Sequence, residues 1–377
     1  MLLNEEQKLI SDTAARFSRE QLFPNAADWD RDSHFPRDTM TEMGKLGFLG
    51  MLVSEDKGGV GADHIAYAAM LEEIAAGCGA LSTAVSGHNS VGCLPIMQYG
   101  TAQQQDRYLP ALASGEMLSC FCLTEPHAGS DASTLRSRAE RRNGYYVLHG
   151  TKQFVTTGKN ADIALVFART GPDKGKHGIS AFIVPTNHSG YIVARVEQKL
   201  GQRASDTCQI VLENIEVPEE NRLGKEGEGY RIALANLESG RIGIASQAVG
   251  MARSAYEIAL KYAQERKSMG KPIFEHQAVG FRLADMATEI EAARQLVWHA
   301  AALRDVGQPC LIEASMAKVA ASEMAEKVCS NAIQTLGGYG YLEDHPLERI
   351  YRDVRVCKIY EGTNDIQRLV ISRALAK

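Results

Sequence analysis

The first third of the chain carries apolar residues at the spacing of amphipathic helices. The earliest such face consists of Leu9, Ile10, Ala14 and Phe17. Residues 37–47 and 64–77 repeat the same period. The pattern predicts a helical N-terminal domain over residues 1–117.

The pattern changes near Ser119, where short runs suited to strands replace the helical period. Turn-forming residues separate these runs, which cover residues 120–123, 145–149, 153–157, 163–168, 179–184, 191–196 and 209–217. Closely spaced strands with little helix between them favour an antiparallel barrel or sandwich. We expect a middle β domain over residues 118–226, with the Lys174-Gly-Lys176 cluster in a solvated loop.

The helical period then returns and continues to the C-terminus. Long amphipathic segments cover residues 230–266, 275–306 and 309–336, a short one covers 346–356, and the last begins at about 364. Long helices with short links imply antiparallel neighbours in a bundle. The predicted fold class is therefore α+β and multi-domain, with a helical bundle over residues 227–377.

Composition and charge restrict the classes of function. The 377 residues are 45% hydrophobic, and a net charge of −5 supplies no basic surface for nucleic acid. No apolar run approaches the ~18 residues that a membrane span needs. The acidic N-terminus enters a helical pattern at once, so we expect no signal or transit peptide. We expect a cytoplasmic bacterial protein or, if the chain is a processed eukaryotic one, a protein of the mitochondrial matrix.

Metal and nucleophile motifs are absent from the sequence. The eight cysteines are scattered without a Cys-x-x-Cys pair, which favours buried free thiols in a reducing compartment. The ten histidines show no His-x-x-x-His or His-Glu-x-x-His spacing, so we expect no metal site. A Gly-x-Ser-x-Gly elbow and a complete Rossmann glycine fingerprint are also missing.

Two predicted strand ends in the β region could approach a flat polar ligand. In residues 121–131, a strand ends at a rigid Glu-Pro pair, and small residues then leave backbone N–H groups accessible beside Ser130 and Asp131. Phe154 and Thr156 flank a valine and would share a strand face, which suits stacking over a ring and hydrogen bonding to its edge. The alternatives are a tight turn with a helix cap at Asp131 and an ordinary half-buried strand.

Three features of the bundle could also bind a ligand. Arg266 lies at a predicted helix end, where it could complement the helix dipole or pair with a phosphate. Residues 334–340 end a helix with more glycine than a C-cap requires, which suggests close approach of the backbone to another group. Arg241 falls inside an apolar helix, so either Glu238 is its structural partner or both residues point into a ligand groove.

A candidate general base lies near the C-terminus. Glu361 is held between an aromatic residue and a glycine, just before a predicted helix start with Asn364 and Gln367 as a cap-like pair. A carboxylate on such a loop can reach into a cleft and accept a proton. The alternative is an ordinary surface glutamate before a helix.

Taken together and in order, five stretches resemble motifs of the acyl-CoA dehydrogenase family. They are Thr-Glu-Pro-x-Ala-Gly-Ser-Asp from residue 124, aromatic-x-Thr at 154–156, Glu-Arg-Lys-x-x-Gly from 265, Gln-x-x-Gly-Gly-x-Gly from 334 and Tyr-Glu-Gly-Thr from 360. The resemblance covers essentially the whole chain, and residues 237–247 and 359–367 look most like short-chain and short/branched-chain members. It implies an N-terminal helical domain, a middle β-barrel-like domain and a C-terminal four-helix bundle.

The resemblance also implies an activity. Family members bind FAD and oxidise an acyl-CoA thioester to the trans-2-enoyl-CoA, in fatty acid β-oxidation or branched-chain amino acid catabolism. Glu361 would remove the α-proton while the β-hydrogen leaves as hydride to flavin N5. The enolate oxygen would be stabilised by the backbone N–H of the base and a flavin ribityl hydroxyl. Most members are homotetramers that pass electrons to an electron-transfer flavoprotein, and we expect no nucleic-acid or membrane partner.

The same resemblance assigns the remaining site residues by motif. The isoalloxazine would be lined by Phe121, Cys122, Leu123, Thr124, Gly129, Ser130, Phe154, Val155 and Thr156. The FAD of a neighbouring subunit would meet Arg266, Gln277, Gln334, Gly337 and Gly338, and FAD would also contact Thr363 and Asn364. The acyl-CoA would face Ser130, Glu238, Arg241 and Gly362.

Three positions depart from the family pattern. Phe154 stands where many members have Trp, and His127 stands where the residue is usually small, so the shielding and the rim of the flavin site could differ. Members with long-chain or isovaleryl specificity place their base immediately before the matching bundle arginine. That position is Gly240 here, which leaves Glu361 as the base. Two other readings remain open: an acyl-CoA oxidase or flavin monooxygenase on the same fold, and a non-catalytic scaffold that has lost its flavin.

Overall fold

The N-terminal part of the chain is helical. The computed structural model describes residues 2–171 and 175–376, so Lys174 of the predicted charge cluster lies outside the described residues. The helices are α1 Glu5–Phe17, α2 Ala26–Arg31, α3 Arg37–Lys45, α4 His64–Gly77, α5 Gly79–Gly87, α6 Leu94–Tyr99 and α7 Ala102–Ala113. Side chains fix several helix starts, because Asn4 and Thr101 form capping boxes and Asp63 caps α4.

The middle part is a mixed β-sheet. Its strands are β1 Ser119–Cys122, β2 Arg138–Arg142, β3 Tyr145–Thr156, β4 Ile163–Arg169, β5 Ile179–Pro185, β6 Tyr191–Val196, β7 Thr207–Pro218 and β8 Arg222–Leu223. The order is β6-β7-β3-β2-β4-β5-β8, and β1 joins the sheet beside β4. Most pairings are antiparallel, as expected, but β1 and β2 both run parallel to β4.

One prediction about the strands was wrong in detail, and one strand was not predicted. The runs at 145–149 and 153–157 form the single strand β3, because Gly150, Thr151 and Lys152 between them also pair with β7. A register shift on each side of these three residues leaves the pairing with β7 unbroken. β2 was not predicted because its residues are polar, and only Ala139 is buried. It lies in the sheet because its backbone pairs with β3.

The sheet is covered on both faces where it meets the helices. β4 and β5 are buried along almost their whole length. Leu165 and Phe167 of β4 share a core with Leu109 of α7, whereas Ala164 and Val166 belong to the core inside the sheet. This alternation is expected of a strand that is buried on both faces. Phe121 of β1 packs against the core that Leu165 shares with Leu109, which places β1 beside the helices.

The C-terminal part is a helical bundle. It contains α8 Gly229–Glu265, α9 Gln277–Asp305, α10 Leu311–Leu336, α11 Leu347–Val354 and α12 Asn364–Leu375, with a small hairpin of β9 Lys267–Ser268 and β10 Lys271–Pro272 between α8 and α9. The core of α8, α9 and α10 is rich in alanine, so the helices can approach closely. Among the described residues, no helix is both long and apolar enough to cross a membrane.

The loop after β6 docks tightly on α11. A β-carbon at Gly201 would lie 2.4 Å from the carbonyl carbon of Arg352 and 2.7 Å from the backbone nitrogen of Asp353. The neighbouring Gln202 donates its backbone N–H to the Asp353 carboxylate. The contact between the sheet and the bundle therefore requires glycine at position 201.

We expect Gly201→Ala to lower the free energy of unfolding by about 1–3 kcal/mol, because the added methyl group forces backbone apart at this contact. Urea unfolding followed by circular dichroism measures the change. Gly87→Ala is the control, since nothing lies within 4 Å of its added methyl group and its backbone is already helical. Equal stability of Gly201→Ala and the wild type would show that the loop is not held at this point.

Candidate active site

Glu361 lies on the loop between α11 and α12 in a strained backbone conformation. Its φ is +54°, and Gly362 follows with a φ of +83°. A non-glycine residue in this region costs about 1–3 kcal/mol, so the surrounding contacts must hold it. The next helix is capped by Thr363, whose hydroxyl accepts the Ile366 N–H at 3.3 Å. The predicted cap at Asn364 was wrong by one residue, because that side chain is buried and bonds to α10.

The Glu361 carboxylate packs against the backbone of α8. A β-carbon at Gly240 would lie 2.7 Å from Oε2 and 3.1 Å from Oε1 of Glu361. The carboxylate therefore occupies the space that a side chain at position 240 would need. A base at residue 361 and a side chain at residue 240 exclude each other in this geometry.

The environment of Glu361 suits a base. Its Oε2 is buried without a hydrogen-bond partner in the described part of the chain. Burial raises the pKa of Glu361 to about 7, and the positive charges of Arg241 and Lys318 oppose that rise. The backbone N–H of Glu361 also donates to no other described residue. A carboxylate of this kind is a stronger base than an exposed one, and a hydrogen-bond donor lies free beside it.

Arg241 is a buried cation that has no ion-pair partner among residues 2–171 and 175–376. Its side chain is only 7% exposed, and its Nε and Nη1 make no hydrogen bond within the described ranges. Burial lowers its pKa. Glu238 instead pairs with Arg304 of α9 at 3.1 Å. Of the two alternatives for Arg241, the structure therefore excludes a direct ion pair with Glu238.

The two predicted strand ends of the β region lie side by side. The Thr124 carbonyl, just beyond β1, accepts the Gln153 N–H of β3 at 2.8 Å. Phe154 has a φ of +56° and is 64% exposed, whereas Val155 is buried and Thr156 is half-buried. An exposed aromatic ring and a nearby hydroxyl thus lie at the junction of β1 and β3.

The loop after β1 is held by an ion pair that sequence reasoning missed. The Glu125 carboxylate accepts the backbone N–H groups of Arg136 and Ser137 at 2.6 and 2.9 Å, and it pairs with Lys152 at 2.8 Å. Lys152 is fully buried. The signal was present, because Lys152 falls on the same alternating face of β3 as the buried Leu148.

Only the far end of this loop is accessible. Glu125 and Ala128 exchange two backbone hydrogen bonds of 3.0 Å, which close the predicted tight turn. Gly129 and Ser130 are exposed beyond it, while Phe121 is half-buried and Cys122 and Leu123 are buried. His127 is exposed at the rim, with Nε2 lying 3.6 Å from Glu125 Oε2.

A third group of predicted residues lines one groove of the bundle. The groove has a volume of ≈ 540 Å³, and its lining includes Arg266, Gln334, Gly337 and Gly338. The Arg266 guanidinium lies 5.9 Å from the ring centre of Tyr339. A β-carbon at either glycine would meet nothing within 4 Å, so neither is required by packing within the chain. Gln277 begins α9 and is not among the lining residues.

Comparison with protein families covers the three parts of the chain. Models described as the N-terminal, middle and C-terminal domains of acyl-CoA dehydrogenase match residues 4–116, 120–215 and 227–376. The chain belongs to the acyl-CoA dehydrogenase family. Its relatives include an acyl-CoA dehydrogenase of Bacillus subtilis, 48% identical over 100% of this chain and 99% of the relative.

Other members of the family have more specific names, and two of those compared are solved structures. The short-chain specific enzyme of rat mitochondria is 42% identical over 100% of this chain and 91% of its own length. The caffeyl-CoA reductase-Etf complex subunit CarC of Acetobacterium woodii is 41% identical over the whole of both chains. Butyryl-CoA dehydrogenase of Megasphaera elsdenii superposes with a TM-score of 0.98, at 38% identity and 100% coverage of both chains. An FAD complex of PigA has a TM-score of 0.95 at 29% identity, covering 100% of this chain and 99% of the other.

The residues at the sheet fit the flavin of this family. The hydroxyls of Thr124, Ser130 and Thr156 bond to no other residue in the described ranges, so they are available to a ligand. Together with the exposed ring of Phe154 they offer hydrogen bonds to a polar edge and a surface for stacking. Asn364 differs, because its side chain is already bonded to Lys318, Ser322 and Glu323.

Sequence reasoning also missed two residues around Glu361. Lys318 of α10 is fully buried and donates to the loop that carries Glu361. The hydroxyl of Tyr360 bonds to Gln247 of α8. The signal for Lys318 was the same as for Arg241, a charged residue inside an apolar helix. No pattern in the sequence indicates that Tyr360 points inward.

We expect Gly240→Ala to reduce kcat by about 100-fold, because even a small displacement of a positioned base has an effect of this size. The added methyl group would overlap the Glu361 carboxylate and push it from α8. Steady-state assays with a short acyl-CoA and an artificial electron acceptor measure the loss. FAD absorbance and the thermal midpoint should stay close to wild type. A kcat within threefold of wild type would mean that the carboxylate does not need this space during turnover.

Proposed function

We propose that this enzyme catalyses FAD-dependent α,β-dehydrogenation of a short-chain or short/branched-chain acyl-CoA to the trans-2-enoyl-CoA. The observation that carries the proposal is the Glu361 carboxylate, buried against Gly240 with an unpaired Oε2. The relatives named as short-chain and butyryl-CoA dehydrogenases support the substrate class. Such an activity belongs in fatty acid β-oxidation or branched-chain amino acid catabolism.

Glu361 acts as the base that removes the α-proton of the thioester. A carboxylate alone is too weak for this proton unless the developing enolate oxygen is stabilised. The free backbone N–H of Glu361 is a suitable donor for that oxygen, and donors of this kind are worth about 3–4 kcal/mol each. Closure of the site by substrate would exclude water and strengthen both effects.

The buried cations complement the charge that moves in this step. Proton transfer neutralises Glu361 and places negative charge on the substrate. Arg241 has no anionic partner within 4.0 Å in the described residues, so its charge is available to the bound acyl-CoA. Gly362 supplies the second left-handed residue that lets the loop turn beside the substrate.

FAD, when bound, supplies the acceptor for the β-hydrogen. The residues that would hold it are those at the junction of β1 and β3, with Phe154 and Thr156 at the ring and Ser130 at the loop. The groove of Arg266, Gln334, Gly337 and Gly338 is open, which suits the FAD of a neighbouring subunit in a homotetramer. An electron-transfer flavoprotein is the proposed electron acceptor, since the relative CarC is named as part of an Etf complex.

The packing beside the base favours a short acyl group. One turn along α8 from Gly240, a β-carbon at Gly243 would lie 2.3 Å from Ser86 Oγ and 2.9 Å from the Tyr67 hydroxyl. Tyr67 and Ser86 are buried there, and their hydroxyls lie 3.3 Å apart. We infer that the acyl chain extends along α8 toward Gly243, where these side chains leave little space for a long one.

We expect Glu361→Gln to lose dehydrogenation by a factor of about 10⁴ or more, because the amide cannot accept the α-proton. It should still bind FAD and acyl-CoA, since glutamine fills the same volume. Stopped-flow reduction of the bound flavin measures the step. Turnover within tenfold of wild type would place the base elsewhere.

We expect kcat/KM to be highest for butyryl-, isobutyryl- or 2-methylbutyryl-CoA, and about 100-fold lower for octanoyl-CoA, because a filled pocket rejects extra methylenes. A panel of these thioesters with an artificial acceptor measures the order. Equal rates with octanoyl-CoA would contradict the short-chain assignment.

Rapid peroxide formation by the reduced, product-bound enzyme would contradict the dehydrogenase assignment and indicate an acyl-CoA oxidase.

A further inference from the structure

Lys318 connects the middle of α10 to the loop that carries Glu361. Its side chain is fully buried, and Nζ donates to the carbonyl oxygen of Gly362 and to Asn364 Oδ1, both at 2.9 Å. Both acceptors lie within three residues of Glu361. The lysine thus fixes the segment immediately after the base.

The hydrogen bonds alone do not require a lysine. The neutral side chain of Gln367 already holds the same loop, since its Nε2 donates to the carbonyl oxygens of Glu361 and Gly362 at 3.0 Å each. A buried ammonium has a large desolvation cost unless a counter-charge compensates it. No Asp or Glu oxygen in the described ranges lies within the 4.0 Å of an ion pair with Lys318 Nζ. The positive charge of Lys318 can therefore stabilise a described carboxylate only from more than 4.0 Å away.

Glu361 is the acidic group on which this charge can act. Four other titratable or charged groups face Lys318 or Glu361. They are Tyr67 of α4, Arg241 of α8, Glu323 of α10 and Cys357 of the turn before Glu361. Glu323 is already paired with Lys358 at 2.6 Å and with Arg368 at 3.1 Å. Burial raises the pKa of the Tyr67 phenol and of the Cys357 thiol, so both stay neutral. Arg241 and Lys318 are then the two cations around one carboxylate.

We propose that Lys318 is a positioning residue for the base, which holds the Gly362 carbonyl and the Asn364 side chain in place and favours the ionised form of Glu361. The inference rests on the proposed function of Glu361. It assigns two separable effects to one side chain, because the hydrogen bonds fix the loop and the charge sets the proton affinity of the base. Burial lowers the pKa of Lys318 to about 8, so it remains mainly charged at neutral pH.

The charge effect has a definite sign. Glu361 must be ionised to accept the α-proton, so kcat/KM rises with pH through the pKa of Glu361 in the free enzyme. Removing a nearby positive charge disfavours the carboxylate form, and such changes shift a pKa by about 1–3 units. The acid limb of the profile should therefore move to higher pH when Lys318 loses its charge.

The test compares Lys318→Met, Lys318→Gln and Lys318→Arg with the wild-type holoenzyme. We expect the acid limb of kcat/KM to move up by about one pH unit or more in Lys318→Met and Lys318→Gln, and to stay in place in Lys318→Arg. The control is Lys327→Met, which removes the same charge from an exposed position of α10, where Lys327 pairs with Glu289. We expect its profile to match the wild type.

A second measurement does not depend on turnover. The carboxyl stretching band that is lost in Glu361→Gln reports the protonation of Glu361 directly by difference infrared spectroscopy across a pH series. We expect its midpoint to rise in Lys318→Met and to stay unchanged in Lys327→Met. If Lys318→Met does not fold, Lys318→Gln and Lys318→Arg carry the same comparison.

The outcomes separate the inference from the proposed function. An active wild type with unchanged profiles and infrared midpoints in folded Lys318→Met and Lys318→Gln would overturn the role of Lys318 alone. An equal shift in Lys327→Met would also overturn it, because the effect would then be one of net charge. A wild type that dehydrogenates no acyl-CoA would overturn both assignments.

Discussion

The candidate active site depends on one contact, in which the Glu361 carboxylate packs against the backbone of α8 at Gly240. A side chain at residue 240 would fill the space that the carboxylate occupies, so a carboxylate from the loop can lie there only because α8 has a glycine at this position. The loop must also adopt the left-handed backbone of Glu361, which is unfavourable in isolation. The bonds of Lys318 and Gln367 to this loop compensate that strain.

The electrostatics of the site follow from the same contact. Pressing a carboxylate against a helix removes water from it, which raises its pKa, while two buried cations limit the rise. Neither Arg241 nor Lys318 pairs directly with Glu361, so the carboxylate keeps an oxygen free to accept a proton. A direct ion pair would have stabilised the charge more, but it would have weakened the base. The arrangement therefore keeps Glu361 reactive near neutral pH.

Sequence periodicity predicted the order of helices and strands because each long element buries a regular face. It failed where the side chains of an element do not report its environment. β2 is polar and owes its place to backbone pairing with β3, and the cap of α12 is Thr363 because burial draws Asn364 inward. Resemblance to the family motifs identified Glu361, Gly240 and Arg241 as residues of the candidate site. It could not indicate the pairing of Glu125 with Lys152 or the reach of Lys318, because these contacts join distant parts of the chain.

The side of the loop before the base shows how the three parts of the chain meet. The hydroxyl of Tyr360 bonds to Gln247 of α8 and lies 3.3 Å from Thr83 Oγ1 of α5 and 3.4 Å from Gln202 Nε2 of the loop after β6. Gln202 also donates to the Asp353 carbonyl of α11 at 3.2 Å. The N-terminal helices, the loop after β6 of the sheet and the bundle therefore all contact Tyr360, the residue next to Glu361. Because a buried polar network holds its members only when every partner is in place, the position of Glu361 depends on the correct assembly of all three parts.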